Sequence, residues 1–207
     1  MGAFSPLSLL RDLEREAREA CQSPDNRFGP EFFEEHVIPV REKALMLSTL
    51  IGADAFCVEA ASYLHDIAVI RDFSALEAHE RHSADAAVAR LRAGYVPEEK
   101  IRLTVEAIAG HSRPVWRGEA NAETVCVSNA DAMATIAKPV YWLRYAFLVK
   151  GLGYRDGAAF VHKWFERGWN DMIDEARTLC AADYSAAHRV LASVLGEEGV
   201  APEAIEL

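Results

Sequence analysis

The sequence is poor in the features that mark secreted, membrane-spanning or nucleic-acid-binding chains. Only four cysteines occur in 207 residues, Cys21, Cys57, Cys126 and Cys180, and none forms a C-x-x-C pair. That excludes a thiolate zinc ribbon and a dithiol redox motif, and leaves four buried thiols as the expectation. No stretch approaches the ~18 uninterrupted apolar residues of a membrane span. The first twenty residues, MGAFSPLSLLRDLEREAREA, lack the basic start, long apolar run and small-residue cleavage site of a signal peptide. A cytoplasmic protein with no membrane partner is therefore expected. Positive charge is also scarce: 22 Lys and Arg stand against 32 Asp and Glu, a formal charge of -10. An extended phosphate backbone is repelled by such a chain, so extended nucleic acid is not an expected partner. A small anionic substrate stays compatible, because a bound cation reverses the local field. Internal repeats and low-complexity segments are absent, and a homo-oligomer is left open.

What is present is a helix-forming pattern. With 51% hydrophobic and 26% charged residues the chain can bury a core that offsets its conformational entropy. Apolar positions recur at helical spacing nearly throughout, with breaks at Gly, Pro and Asn, and no segment reads as a strand. The expectation is an all-α fold. A first helix is predicted from Pro6 to Ala20, and a second from Pro30 to Gly52 with a kink or break at Pro39, within one turn of His36. A buried helix is predicted over Ala53 to Val69, one over residues 77 to 93, one from Pro97 to Ala109, and one from Glu123 to Ile136 after the loop Ser112 to Glu123. Tyr141 to Val149, Gly157 to Ala181 and Tyr184 to Leu195 complete a helical C-terminal layer. The division expected is an N-terminal helix and loop (1–29), a core (30–140) and that layer (141–207).

The chemistry is concentrated in a few polar residues set in apolar surroundings. His65-Asp66 lies inside the run Ala60 to Ile70, where desolvating a carboxylate costs several kcal/mol unless charge partners restore it. Taken alone, the pair reads as a helix-terminal Asp held by an arginine and a hydrogen-bonded core histidine. It is not alone. His36 lies one helix earlier, and Asp131 sits in the small, apolar setting Ser128 to Ala134. Two imidazoles and two carboxylates from three helices suit a divalent transition metal with positions left open for water and substrate. His82, before Ser83-Ala84, and His111, after Gly110, are candidates for a second ion. Their bland alternatives are a surface residue of the charged stretch Glu77 to His82 and a helix C-cap. His79 reads as an outer or solvent-exposed residue, and His162 and His188 receive no role.

The order His36, His65-Asp66, Asp131, with the surrounding His36-Val37-Ile38-Pro39-Val40, Leu64-His65-Asp66-Ile67, Ala109-Gly110-His111-Ser112 and Asn129-Ala130-Asp131-Ala132, resembles the H…HD…D pattern of the HD superfamily of metal-dependent phosphohydrolases. The resemblance covers about residues 30 to 140. It implies an HD-domain helical bundle with the metal at its centre and a C-terminal helical extension. In members with two metals it implies that the aspartate of the dipeptide bridges the ions and that two further histidines, here His82 and His111, hold the second. The GYP signature of the cyclic-di-GMP branch is missing, as are synthetase or effector modules.

The resemblance leads to the expectation of a phosphohydrolase acting on a small phosphorylated molecule, with a nucleotide as the first candidate. One or two divalent ions (Mn, Fe, Co, Ni, Zn or Mg) would serve as cofactor. A bound ion lowers the pKa of its water to ~7 and neutralises phosphoryl charge. Asp66, His111, Arg113 and Lys138 are the candidate catalytic residues: Arg113 as a planar fork for phosphate, Lys138 as a point charge, His111 for proton transfer to the leaving group. Solvated loop or helix-end cations are the alternative for Arg113 and Lys138. Trp116, Tyr141, Trp142 and Tyr145 either stack a base or pack the core, and core is expected. Two other functions keep the same fold: a di-iron oxygenase of HD type using six ligands, and a non-catalytic metal-binding scaffold. The second fits poorly, because structural zinc sites favour thiolates.

Overall fold

A computed structural model describes residues 4–115 and 118–196, and among these all regular structure is helical. Trp116, one of the candidate stacking aromatics, lies outside the described residues. Helix α1 (Pro6–Cys21) buries Leu9, Leu13, Ala17 and Cys21, one residue per turn on a single stripe. No helix of the described residues is long and apolar enough to cross a membrane.

The kink expected at Pro39 is a wide turn placed before it. Phe33–Val37 form one turn of π-helix, and the Ile38 N–H donates five residues back to the Phe33 carbonyl. Helix α2 (Ile38–Ile51) then starts with Pro39 in its first turn. Proline has no N–H for the Glu35 carbonyl and its ring crowds that oxygen, so the backbone widens instead of continuing. His36 sits in the widened turn and is buried. Gly52, at φ 78°, ends α2 in the left-handed conformation that glycine adopts without strain.

The single helix expected over Ala53 to Val69 is two. Helix α3 (Ala55–Leu64) is capped by Asp54, whose carboxylate accepts from the Cys57 N–H at 3.0 Å. It stops at His65. Asp66, at φ -109° and ψ 8°, starts the short α4 (Ile67–Arg71). The break leaves the Ala68 N–H without a helical partner, and Ser83 Oγ accepts it at 3.1 Å. A 3₁₀ turn, Phe73–Ala78, then leads into α5 (His79–Ala93), two residues later than predicted.

Helix α6 (Glu98–Gly110) and α7 (Ala122–Ile136) follow, the latter capped by Asn121 on the Thr124 N–H at 2.8 Å. A Cβ on Gly110 would meet Thr124 Cγ2 at 2.5 Å, so a glycine is needed where α6 approaches α7, immediately before His111. Helix α7 is the hub. It packs on α2, α3 and α6 and also on the C-terminal layer, and its small side chains permit that approach.

The C-terminal layer comprises α8 (Pro139–Arg144), a π turn (Tyr145–Val149), α9 (Tyr154–Asp171) and α10 (Asp174–Leu195). The helix expected from Gly157 to Ala181 is interrupted at Met172-Ile173. Asn129 of α7 explains how the interruption is held: its Oδ1 accepts the Ile173 N–H at 2.8 Å, while its Nδ2 donates to the Val125 carbonyl at 2.8 Å. Both α9 and α10 pack against α7, and the core runs without a gap from α1 to α10.

Candidate metal centre

The breaks and close approaches just described bring six side chains to one point. Asp66 stands at its middle. Its Oδ2 lies 3.3 Å from His65 Nε2 and 3.6 Å from His36 Nε2. Its Oδ1 lies 3.3 Å from His79 Nε2 and 3.6 Å from His111 Nε2. Asp131 Oδ1 is 3.1 Å from His36 Nε2, on the Oδ2 side. The carboxylate thus separates two imidazole pairs, His36 with His65 and His79 with His111, and within each pair the Nε2 atoms are 3.2 Å apart.

The orientation of these rings is set by the backbone. His65 Nδ1 donates to the Ser62 carbonyl at 2.9 Å, His79 Nδ1 to Leu76 at 2.9 Å, and His111 Nδ1 to Ile108 at 2.7 Å. In each case the acceptor is the carbonyl three residues earlier, exposed where a helix or 3₁₀ turn ends. A carbonyl only accepts, so Nδ1 carries the hydrogen and the neutral ring presents its Nε2 lone pair inward. In the His79–His111 pair two such lone pairs face each other at 3.2 Å and repel. A cation between them removes the repulsion and uses both, as metal-ligating histidines do when the other ring nitrogen is held by a carbonyl. His36, His65 and Asp131 can share one ion, and His65, Asp66 and His111 also fall within ligating reach of one another. The donor set, imidazole nitrogen and carboxylate oxygen without thiolate, fits a borderline divalent ion.

Electrostatics tell the same story. Burial opposes charge on both carboxylates, yet the surrounding histidines hold Asp131 below and Asp66 well below the usual carboxylate range. Burial would lower the pKa of His36, but Asp131 and Asp66 override it and push the ring up to about 9. A proton there does in part what a cation would do fully.

Of the residues singled out from sequence, His36, His65, Asp66, Asp131 and His111 converge. His82 does not. The buried face of α5 is Ser83, Ala84, Ala87 and Leu91, and His82 points off that face into solvent. His79, expected to be peripheral, lies four residues before Ser83 on the buried side and occupies the place proposed for His82. The amphipathic phase of α5 was the signal that could have found it. Arg113 is exposed beside His111, on the rim of a small compartment of about 130 Å³ that reaches Asp131. Lys138 is turned away: its Nζ pairs with Glu35 at 3.0 Å and it lines neither compartment. Tyr141, Trp142 and Tyr145 are buried, and the latter two also form part of the wall of a larger cleft of about 530 Å³ over the cluster. Lys163, Trp164 and Arg167 of α9 line that cleft too; sequence reasoning gave them no role because nothing local links α9 to His36 or Asp66.

A helical bundle with paired imidazoles on either side of a helix-break aspartate defines a class of protein: an all-α scaffold whose His/Asp cluster could hold a metal ion. The model of the HD domain matches residues 33–136, half of the chain, and the chain belongs to that family. No curated protein matches it. Similar solved structures include a predicted HD superfamily hydrolase from an uncultured Thermotogales bacterium, 19% identical, covering 91% of this chain and 92% of that one with a TM-score of 0.59. Bacillus subtilis YpgQ is 18% identical over 91% of this chain and 95% of its own, with a TM-score of 0.67. A Lactobacillus plantarum protein is 16% identical over 92% and 96%, with a TM-score of 0.65. At these identities the likeness establishes the fold, and its coverage extends beyond the matched domain into the C-terminal layer.

Proposed function

We propose that the protein is a metal-dependent phosphohydrolase that cleaves a phosphate ester or anhydride in a small molecule, with a nucleotide as the first candidate. One observation carries the reading: Asp66 offers each of its oxygens to a different pair of inward-facing imidazoles, in a cleft that Lys163 and Arg167 also line. Ligands for divalent ions and cations for an anion face the same space.

In this reading His36, His65, Asp66 and Asp131 hold one ion and His79, His111 and Asp66 a second. Such an ion supplies a water of lowered pKa and positive charge for the phosphoryl oxygens. The chain's own groups do the rest. Ser62, Leu76 and Ile108 carbonyls fix three imidazoles so that little reorganisation accompanies binding. Arg113 offers a planar fork to a phosphoryl oxygen from the smaller compartment. Glu80, hydrogen-bonded by the Ser112 hydroxyl and 3.5 Å from His79 Nδ1, anchors the loop after His111 against the start of α5.

The test pairs elemental analysis with a phosphatase and nucleotidase screen across Mn, Fe, Co, Ni, Zn and Mg, comparing wild type with Asp66→Ala. Metal-dependent release of phosphate or pyrophosphate that Asp66→Ala abolishes supports the reading. Metal bound tightly, with neither turnover nor oxygen uptake on any substrate, points instead to a scaffold. The two-sided placement of Asp66, with six side chains in all, also keeps a di-iron oxygenase as a second reading. Two irons per chain and substrate-dependent oxygen consumption would establish it, and one ion per chain eliminates it.

A further inference from the structure

Helix α9 carries Phe160, Lys163, Trp164 and Arg167, the spacing i, i+3, i+4, i+7 of a single helical stripe. All four line the cleft over the metal centre. The helix is fixed in this orientation by a neighbouring face, Ala158, Val161 and Phe165, which is buried in the core. Its stripe therefore alternates aromatic and cationic side chains toward the cluster, from a segment that lies outside the matched family domain.

Lys163 and Arg167 are exposed and line the same cleft as Asp66 and Asp131, so their charge is available to an anion held over the cluster. Arg167 Nε lies 3.6 Å from Asp171 one turn on, an exposed pair that leaves the guanidinium free to take a ligand. The aromatic half of the stripe is equally organised: Trp164 meets Trp142 edge-on at 4.6 Å and Phe160 at 5.9 Å, and Tyr145 closes the cleft from the π turn. The wall is thus aromatic beside a pair of charges, its rings packed edge-on or tilted so that ring faces remain for a ligand to pack against.

We infer that α9 is the substrate-recognition wall of this site, and that its ligand is a phosphate ester of a flat-ring alcohol. Lys163 and Arg167 bind phosphoryl oxygens, one as a compact charge and the other as a fork, while Phe160 and Trp164 pack against the ring. This rests on the phosphohydrolase reading and adds the substrate class and the residues that select it. None of the four acts on the reacting atoms through the metal ligands, so their loss is read in binding.

The experiment uses the full chain loaded with manganese, with phenyl phosphate and glycerol phosphate as paired substrates. Lys163→Gln and Arg167→Gln are each expected to raise KM for phenyl phosphate roughly tenfold, the loss of one charge-assisted contact, with kcat and metal content held. Lys163→Arg and Arg167→Lys should recover most of that loss, which a purely structural role would not predict. Phe160→Ala should narrow the preference for phenyl over glycerol phosphate. Unchanged KM in both Gln variants, or equal use of the two esters by wild type, overturns the inference. Should wild type cleave neither ester, calorimetry with inorganic phosphate separates the two claims. Phosphate binding that the Gln variants weaken keeps the recognition wall while ending the hydrolase reading, and binding that is absent or insensitive to them ends the inference.

Discussion

Replacing Asp66 by asparagine changes the charge at the centre of the site and almost nothing else. The side chain keeps its shape and the backbone break at residue 66 is untouched. Whichever way the amide turns, one of the two imidazole pairs faces an NH2 group instead of an oxygen, at a place where the structure puts Nε2 atoms 3.3 and 3.6 Å away. An NH2 donates well to an imidazole lone pair and cannot bind a cation. The metal-free variant loses the attraction between Asp66 and protonated His36 and is expected to be somewhat less stable than metal-free wild type at neutral pH, so the informative quantity is the gain on adding metal. A ligand at a hundredfold over its Kd stabilises the native state by about 2.7 kcal/mol. For a chain of this length that is a rise in Tm of roughly 5–10 °C. Outer-shell substitutions alone weaken metal binding by ~10–100-fold. Loss of a bridging carboxylate should reach the upper end, and a hundredfold weakening at the same metal concentration leaves only about 0.4 kcal/mol. Thermal melts with and without manganese, alongside elemental analysis, measure both. A variant that binds as much metal and gains as many degrees as wild type would refute the placement of Asp66 between two ions.

The other predictions follow from the same contacts. His79→Ala should lose the second metal equivalent and keep the first, whereas His82→Ala should change neither metal content nor activity; elemental analysis of the two variants decides. Metal-free protein should lose stability between pH 6.5 and about 9, because the raised pKa of His36 contributes stability that is complete below its unfolded value and fades as the folded ring deprotonates. Metal binding should strengthen over the same interval, since an ion must displace that proton, so melts of chelated and metal-loaded protein should diverge with pH. Asn129→Ala leaves the Ile173 N–H without its acceptor and should cost about 1–3 kcal/mol in urea denaturation. Asp54→Ala removes the cap of α3 and an ion pair with Lys100 and should cost about 1 kcal/mol.

The helical class and five members of the cluster were legible because each leaves a local mark. His36 precedes a proline inside an amphipathic run, the His65-Asp66 pair interrupts an apolar one, Asp131 sits among alanines and His111 follows a glycine at a helix end. Each is a polar group whose burial demands compensation, and that demand is visible in sequence. What was not legible depends on helix phase and on packing between distant segments. His79 sits in Glu77-Ala78-His79-Glu80-Arg81-His82, which reads as a solvated face if the helix is run through from residue 77. In α5 His79 lies four residues before Ser83 and eight before Ala87, on the buried side, while His82 faces outward; that apolar stripe of small residues is a faint signal beside the charges around it. The break at His65 carries no Gly or Pro, so nothing local announces it. The Ala68 N–H that it frees is accepted by Ser83 Oγ, fifteen residues further on.

That break is what allows one carboxylate to serve two sides. Had α3 continued unbroken to Val69, Asp66 would project from a regular helix flank, and an unbroken helix directs successive side chains about 100° apart. His65 and Asp66 would then diverge. With Asp66 at φ -109° outside the helical ladder, its carboxylate swings toward His65 while its second oxygen remains open to α5 and α6. Ser83 is then more than a filler in the small-residue face of α5. By accepting the Ala68 N–H it ties α4 to the helix that supplies His79, so one hydrogen bond links the segment after Asp66 with the histidine on its far side. Both the break and the cap belong to the sequence, but only their meeting in space makes a two-sided site.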